Sequence, residues 1–247
     1  LFTEKKYDKF PLLIKILDAS DNLSVQVHPE DDYARENENG ELGKTECWYV
    51  LDAKAGAKLV YGHTAKTKEE FTDKINHEQW QELFIEEEVK AGDFFYIPAG
   101  TLHAIGEGIL IYEVQQNSDT TYRVYDYDRV DKDGNKRELH IEKTKDVTKV
   151  PFEKVTTSPR TEKLEGATVT HLADEKYFSV FKVEVEGQVS LEKTQTGNLF
   201  TVLKGSGNVE IEGSIYDVKK GDSFILTTDC SNYTLKGNMF LVGSYDR

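Results

Sequence analysis

Three short stretches of this sequence carry side chains able to converge on a divalent cation. In residues 23–30, LSVQVHPE, alternation places Ser24, Gln26 and His28 on one face of a strand and Val25 and Val27 on the other. In residues 43–51, GKTECWYVL, Glu46 and Trp48 share a face, while Cys47 and Tyr49 share the opposite one. In residues 92–105, GDFFYIPAGTLHAI, Pro98 and Gly100 make a tight turn that fixes where His103 points. Two imidazoles, one carboxylate and one amide carbonyl form a four-ligand set suited to Zn²⁺ or a similar ion, with room for water or substrate. The plain alternative is a group of unrelated polar residues, two of them on solvent. Cys47 reads as a packing residue rather than a nucleophile, because no cation on its own face would lower its pKa. His63, His77, His140 and His171 lack comparable spacing and read as surface or structural.

The elements that must position these residues are mostly strands. Runs rich in Val, Ile, Tyr, Phe and Thr predict strands over 12–17, 23–28, 46–51, 58–62, 93–97, 109–116 and 122–127. A second set covers 177–185, 199–203, 208–211, 223–227 and 239–242. Many short strands with frequent turn signals predict a β-sandwich or barrel. Helical spacing predicts two short helices over 68–76 and 78–84, the first with a capping box of Thr67 and Glu70, and another near 141–147. Residues 156–163, TTSPRTEK, read as a linker.

A weak internal repeat runs through the chain. YVLDAKAGAKLVYG from Tyr49 and GDFFYIPAGTLHAI from Gly92 match TVLKGSGNVEIEG from Thr201 and GDSFILTTDCSNYT from Gly221. Val50 to Gly92 is 42 residues and Val202 to Gly221 is 19, and the difference is about the length of the helical excursion over 66–88. Both halves therefore share one strand–turn–strand plan.

The 247 residues allow one large domain or two small ones. With 31 basic and 45 acidic residues the net charge is −14, which disfavours nucleic acid and anionic membranes as partners. A small anionic ligand then needs a local basic cluster. No apolar run approaches the ~20 residues of a membrane span, and no signal-peptide pattern opens the chain. Two cysteines, Cys47 and Cys230, fit a reducing, cytoplasmic setting. The chain starts at Leu1 without methionine and reads as one whose beginning is missing.

The spacing of Gly92, Pro98, Gly100 and His103 resembles the second motif of the cupin superfamily, in which that histidine binds metal. QVHP, GKTECWYVL, PAGTLHA and QQNSDTTYRVYDYDR, four motifs in order, extend the likeness. Together they resemble a type I mannose-6-phosphate isomerase (phosphomannose isomerase) of the short bacterial kind, strongly over 11–140 and weakly beyond. The resemblance implies a mainly β fold of two cupin-like, jelly-roll barrel units. A catalytic unit over 1–155 carries a helical insertion near 66–88, and a degenerate unit over 164–247 lacks metal ligands.

The resemblance also implies one zinc ion on Gln26, His28, Glu46 and His103. It assigns catalytic roles to Arg123, Glu113 and Lys44 and substrate binding to Ser24, Lys44 and Arg123, with Lys44 and Ser24 near the phosphate. The implied reaction interconverts mannose 6-phosphate and fructose 6-phosphate through an enediol. In the second copy Thr227, Asp229 and Asn232 stand where the first has Pro98, Gly100 and His103. Family members carry a further N-terminal stretch with a tryptophan–glycine–glycine segment that is absent here. Taken alone, Lys44 reads as a solvated surface lysine and Arg123 as the salt-bridge partner of Asp126 or Asp128. The rival readings are a non-catalytic sugar-binding or regulatory cupin and an iron-dependent cupin oxygenase; Gln26 in place of a histidine argues against the latter.

Overall fold

The structure is a computed structural model that describes residues 9–194, 196–230 and 232–247. The chain divides into two compact units, Leu13–Thr156 and Thr157–Arg247, the latter together with the described residues before Leu13.

The first unit contains, in order, β1 (Leu12–Asp18), β2 (Val25–Val27), α1 (Asp31–Asn37), β3 (Glu46–Ala53), β4 (Lys58–His63), α2 (Lys68–Asn76) and α3 (Trp80–Leu83). It continues with β5 (Phe84–Glu88), β6 (Phe94–Ile97), β7 (His103–Ala104), β8 (Ile109–Gln116), β9 (Tyr122–Tyr125) and α4 (Ile141–Val147). One sheet has the order β1-β8-β3-β6 and the other β5-β4-β7-β2-β9. Trp48 and Val50 of β3 and Ile109 and Ile111 of β8 share one buried cluster with Leu59 and Tyr61 of β4. The two sheets therefore pack face to face over a common apolar layer. On the far side of the five-stranded sheet, Val25, Val27, Leu102 and Val124 pack with Phe71, Ile75 and Leu83. The same alternation that buries Val25 and Val27 under the helices turns Gln26 toward the space between the sheets.

Helix α2 forms where the capping residues predict it. Thr67 Oγ1 accepts the Glu70 N–H at 3.2 Å, and the Glu70 carboxylate reaches back to the Lys66 N–H at 2.8 Å. The excursion over 66–88 is only partly helical: its last five residues, Phe84–Glu88, form β5 along the edge of β4. Glu86 and Glu88 are exposed and Glu87 is half-buried, which suits an edge strand that faces solvent on one side.

The second unit contains β10 (Arg160–Leu164), β11 (Ala167–Asp174), β12 (Phe178–Leu191), β13 (Asn198–Ile211), β14 (Ser214–Lys219), β15 (Ser223–Leu226) and β16 (Tyr233–Asp246). The later half of the expected linker is strand, because Arg160–Leu164 pairs antiparallel with β11. Two expected strands over 199–203 and 208–211 are one, since pairing with β16 resumes after a bulge between Val202 and Lys204 and runs on through Gly207, which faces Gly237. The interior is apolar and aromatic, built on Phe181, Val183, Phe200, Val202, Leu235 and Leu241.

The repeat read from sequence recurs in the hydrogen bonds. Val50 N–H donates to Asp93 O at 2.9 Å and Gly92 N–H to Val50 O at 2.8 Å; Val202 donates to Asp222 O and Gly221 to Val202 O, both at 2.9 Å. Glu46 pairs with Ile97, and in the second unit Asn198 pairs with Leu226. Glu46 and Asn198 thus occupy one framework position.

Phe71 is fully buried and packs its ring 4.8 Å from that of His63. Phe71→Ala is expected to destabilise the first unit by about 3–5 kcal/mol, measured as a lower midpoint in urea unfolding at unchanged m-value.

Candidate active site

Opposite sheets supply the two halves of the site. On the five-stranded sheet Gln26 pairs with His103 of β7 on one side and Arg123 of β9 on the other. On the four-stranded sheet Glu46 pairs with Gln115, and Trp48 with Glu113, both across β3 and β8. His28 follows the end of β2. Its neighbour Pro29 accepts the Lys44 N–H at 3.0 Å, which ties the approach to β3 to the end of β2. Gly43 is required in that approach, because a Cβ there would lie 2.5 Å from the Asp31 nitrogen at the start of α1. Gly100 turns the chain at φ +87, a left-handed conformation that favours glycine, and brings His103 back into the sheet.

His28, Glu46 and His103 converge with their ligand atoms within 4.8 Å of one another, all buried. Glu46 Oε2 lies 3.4 Å from His28 Nε2, and Oε1 lies 3.2 Å from His103 Nε2. Gln26 Nε2 lies 3.4 Å from His103 Nε2, so a half-turn of the amide would present its oxygen to the same point. Each imidazole is oriented from behind: His28 Nδ1 meets Thr120 O at 2.9 Å and His103 Nδ1 meets Thr101 O at 2.8 Å. A carbonyl only accepts, so each Nδ1 carries a proton and each ring turns its Nε2 toward Glu46.

Charge makes that arrangement unstable by itself. Burial, followed by the nearby Lys44 ammonium, pushes the His28 pKa down to about 3, so its ring is neutral at ordinary pH. Burial would raise the Glu46 carboxyl, but Lys44 Nζ at 3.4 Å leads the opposing charges and holds it well below the usual carboxylate range. A carboxylate therefore faces the lone pair of His28. His28 Nε2 and both Glu46 oxygens are buried without a hydrogen-bond partner, the Lys44 ion pair aside. Such atoms call for a cation between them. Two imidazoles, a carboxylate and an amide match what a zinc-type ion takes.

Glu113 stands beside this centre. Its Oε1 accepts from Lys15 Nζ at 2.9 Å and its Oε2 from the Trp48 indole at 2.9 Å; Lys15 also donates to Gln115 Oε1. Burial first, then the Glu46 charge, raises the Glu113 pKa against the opposing pull of Lys15. Arg123 donates from Nε to Ser24 Oγ at 3.3 Å and from a terminal nitrogen to Glu138 O at 2.9 Å. It is not the ion-pair partner of Asp126 or Asp128: Asp126 binds Arg129 and Arg137, and Asp128 binds Lys136 at 2.6 Å. Lys44 is 6% exposed, not a solvated surface lysine.

Gln26, His28, Glu46 and His103 thus meet at one point, Lys44 adjoins them, Glu113 lines the same interior, and Ser24 holds Arg123. Sequence reasoning missed Lys15, Gln115 and the part played by Trp48. The signal for Lys15 was present, since it is the single charge within LLIKIL and alternates with Leu13 and Leu17. His140 is also closer to the site than expected, because its Nδ1 accepts the Arg123 backbone N–H at 3.1 Å. Among the described residues the second unit offers no comparable cluster. There Asn198 Oδ1 is satisfied by the Thr194 N–H at 3.0 Å and hydroxyl at 2.8 Å.

A β-sandwich whose paired sheets bring two histidines, a glutamate and a glutamine together inside has the make-up of a cupin-type site able to hold a metal ion. The family comparison agrees and is narrower. Residues 168–246 match the cupin domain of mannose-6-phosphate isomerase, and residues 1–51 match the catalytic domain of type I phosphomannose isomerase. The chain is 48% identical to mannose-6-phosphate isomerase ManA of Bacillus subtilis, over 96% of this chain and 75% of that protein. It is 47% identical to mannose-6-phosphate isomerase of Streptococcus mutans, over 99% of this chain and 77% of that protein. The crystal structure of mannose 6-phosphate isomerase from Bacillus subtilis superposes with a TM-score of 0.95 at 44% identity, covering 98% of this chain and 77% of that one. This chain belongs to the type I mannose-6-phosphate isomerase family.

Burial alone would raise the Asp126 carboxyl, but hydrogen bonds from Arg137 and Arg129 outweigh it and hold it below its ordinary value of 3.8. A depressed folded-state pKa stabilises fully above that ordinary value and is lost as pH falls through the folded one. Asp126→Asn is therefore expected to lower the melting temperature at pH 7, with the gap from the parent protein shrinking in a thermal series carried below pH 4.

Proposed function

We propose that this chain interconverts mannose 6-phosphate and fructose 6-phosphate through an enediol, with one zinc ion held by Gln26, His28, Glu46 and His103. The observation that carries the reading is the pair of buried Glu46 oxygens, without hydrogen-bond partners, facing two oriented imidazoles beside a second carboxyl with a raised pKa. The family relationship supplies the substrate.

When bound, the ion supplies positive charge that polarises the sugar oxygens and steadies the charge of the enediol. The chain's own residues do the rest. Glu113 is the acid/base: it takes the proton from C2 of the aldose and returns it to C1, while the O2 hydroxyl proton passes to O1, to give the ketose. A raised pKa suits that task, because the group must both accept and release a proton near neutrality. Lys15, bonded to Glu113, and Lys44, beside Glu46, are the cations nearest the charge that develops on the sugar oxygens. Ser24 and Arg123, bonded to each other, form the corner that receives the phosphate, with the guanidinium as a fork and the hydroxyl as a further donor. Arg123 is available for this role because Asp126 and Asp128 are engaged by other cations.

His103→Ala is expected to lose both bound zinc, by metal analysis, and formation of fructose 6-phosphate in a coupled assay; full turnover in a demonstrably metal-free variant would overturn the reading. Arg123→Ala should keep its zinc while KM for mannose 6-phosphate rises roughly 10- to 100-fold, the loss of a charged hydrogen bond. Zinc leaving with Arg123 would show that its role is structural. A parent protein that binds the sugar phosphate without turning it over would be the non-catalytic cupin instead.

A further inference from the structure

Trp48 contributes more than volume to the interior. Its ring is 1% exposed and meets the His103 ring edge-on, with centroids 5.4 Å apart. Its indole Nε1 donates to Glu113 Oε2 at 2.9 Å, while Lys15 Nζ takes Oε1 at 2.9 Å. One donor on each oxygen fixes the plane of the carboxyl. The two donors differ in kind: the Lys15 side chain is 33% exposed, long and charged, whereas the indole is enclosed, rigid and neutral. A second ammonium in place of the indole would hold the carboxyl equally well but would stabilise its ionised form. A neutral N–H orients the group without adding charge.

The second unit provides an internal comparison. Trp48 pairs with Phe95 on one side and Glu113 on the other. At the matching place Phe200 pairs with Phe224 and Gly243. Where the neighbouring strand offers no carboxyl, the ring has no N–H. An aromatic ring alone therefore fills this framework position, and what the first unit adds is the hydrogen-bond donor, opposite the acceptor.

We infer that Trp48 is a positioning residue for proton transfer: its indole N–H sets the orientation of the Glu113 carboxyl relative to the sugar carbons. The inference rests on the assignment of Glu113 as the acid/base. Removal of the donor leaves binding intact and misaims the proton, so it lowers kcat and spares KM.

The chain has two tryptophans, so a Trp80→Phe parent isolates Trp48. In that parent the single indole ¹H–¹⁵N cross-peak is expected to move on Glu113→Ala; an unmoved peak would overturn the contact, whatever the activity. Replacing Trp48 by benzothienylalanine exchanges N–H for sulfur at nearly constant volume. It should lower kcat about 10- to 100-fold, with KM within about twofold and zinc stoichiometry unchanged. Trp48→Phe should behave alike; if it fails to fold, the benzothienyl variant decides. In a Glu113→Gln background Trp48→Phe should add no further loss, because its effect runs through the carboxyl. Unchanged kcat in the benzothienyl protein, or fully additive losses, would overturn the inference. An inactive parent would instead mark the failure of the isomerase reading, and the cross-peak would still test the contact.

Discussion

The first unit is organised around one electrostatic constraint, a buried carboxylate that meets two imidazoles. Glu46 is fully enclosed and held ionised, and each ring that meets it from the opposite sheet spends its Nδ1 proton on a backbone carbonyl. Thr101 and Thr120 fix which nitrogen of each ring faces Glu46. The pairing of Glu46 with Gln115, the row His103–Gln26–Arg123 across three strands and the turn at Gly100 all bring these side chains to one place, where a cation could sit between them.

The net charge of −14 takes on a different meaning at this point. Lys15, Lys44 and Arg123 project into or beside the interior of an acidic chain. Glu113 and Glu46 temper Lys15 and Lys44, while Arg123 rests on a hydroxyl and a carbonyl. Arg123 is thus a cation without a carboxylate on its own hydrogen bonds in an otherwise acidic chain, and a charge of that kind acts at short range where screening is weak. An acidic exterior is compatible with a sugar phosphate as substrate because the recognition charge is local rather than global.

Much of this was legible in the sequence, and the part that was not has physical causes. Alternation placed Gln26 opposite Val25 and Val27, and the structure has that arrangement, because one face packs under helices and the other lines the site. The capping residues located α2. Lys15 was missed because a lysine in a short apolar run looks like an edge residue until the neighbouring strand is known to present Glu113 and Gln115. The strand β5 was read as part of a helical excursion because its run of glutamates satisfies either period. Gly205 and Gly207 read as a turn, yet their strand continues, since Gly237 opposite allows two backbones to approach. In each case the deciding fact lies on a strand distant in sequence.

The matched registers of the two units bear on how such a centre arises and disappears. Asn198 stands where Glu46 does, with identical flanking hydrogen bonds, and its unit closes over aromatic rings. The same strands and turns thus close around a cluster of polar side chains in one unit and around aromatic rings in the other, so the inward side chains, and not the framework, decide what this position can do.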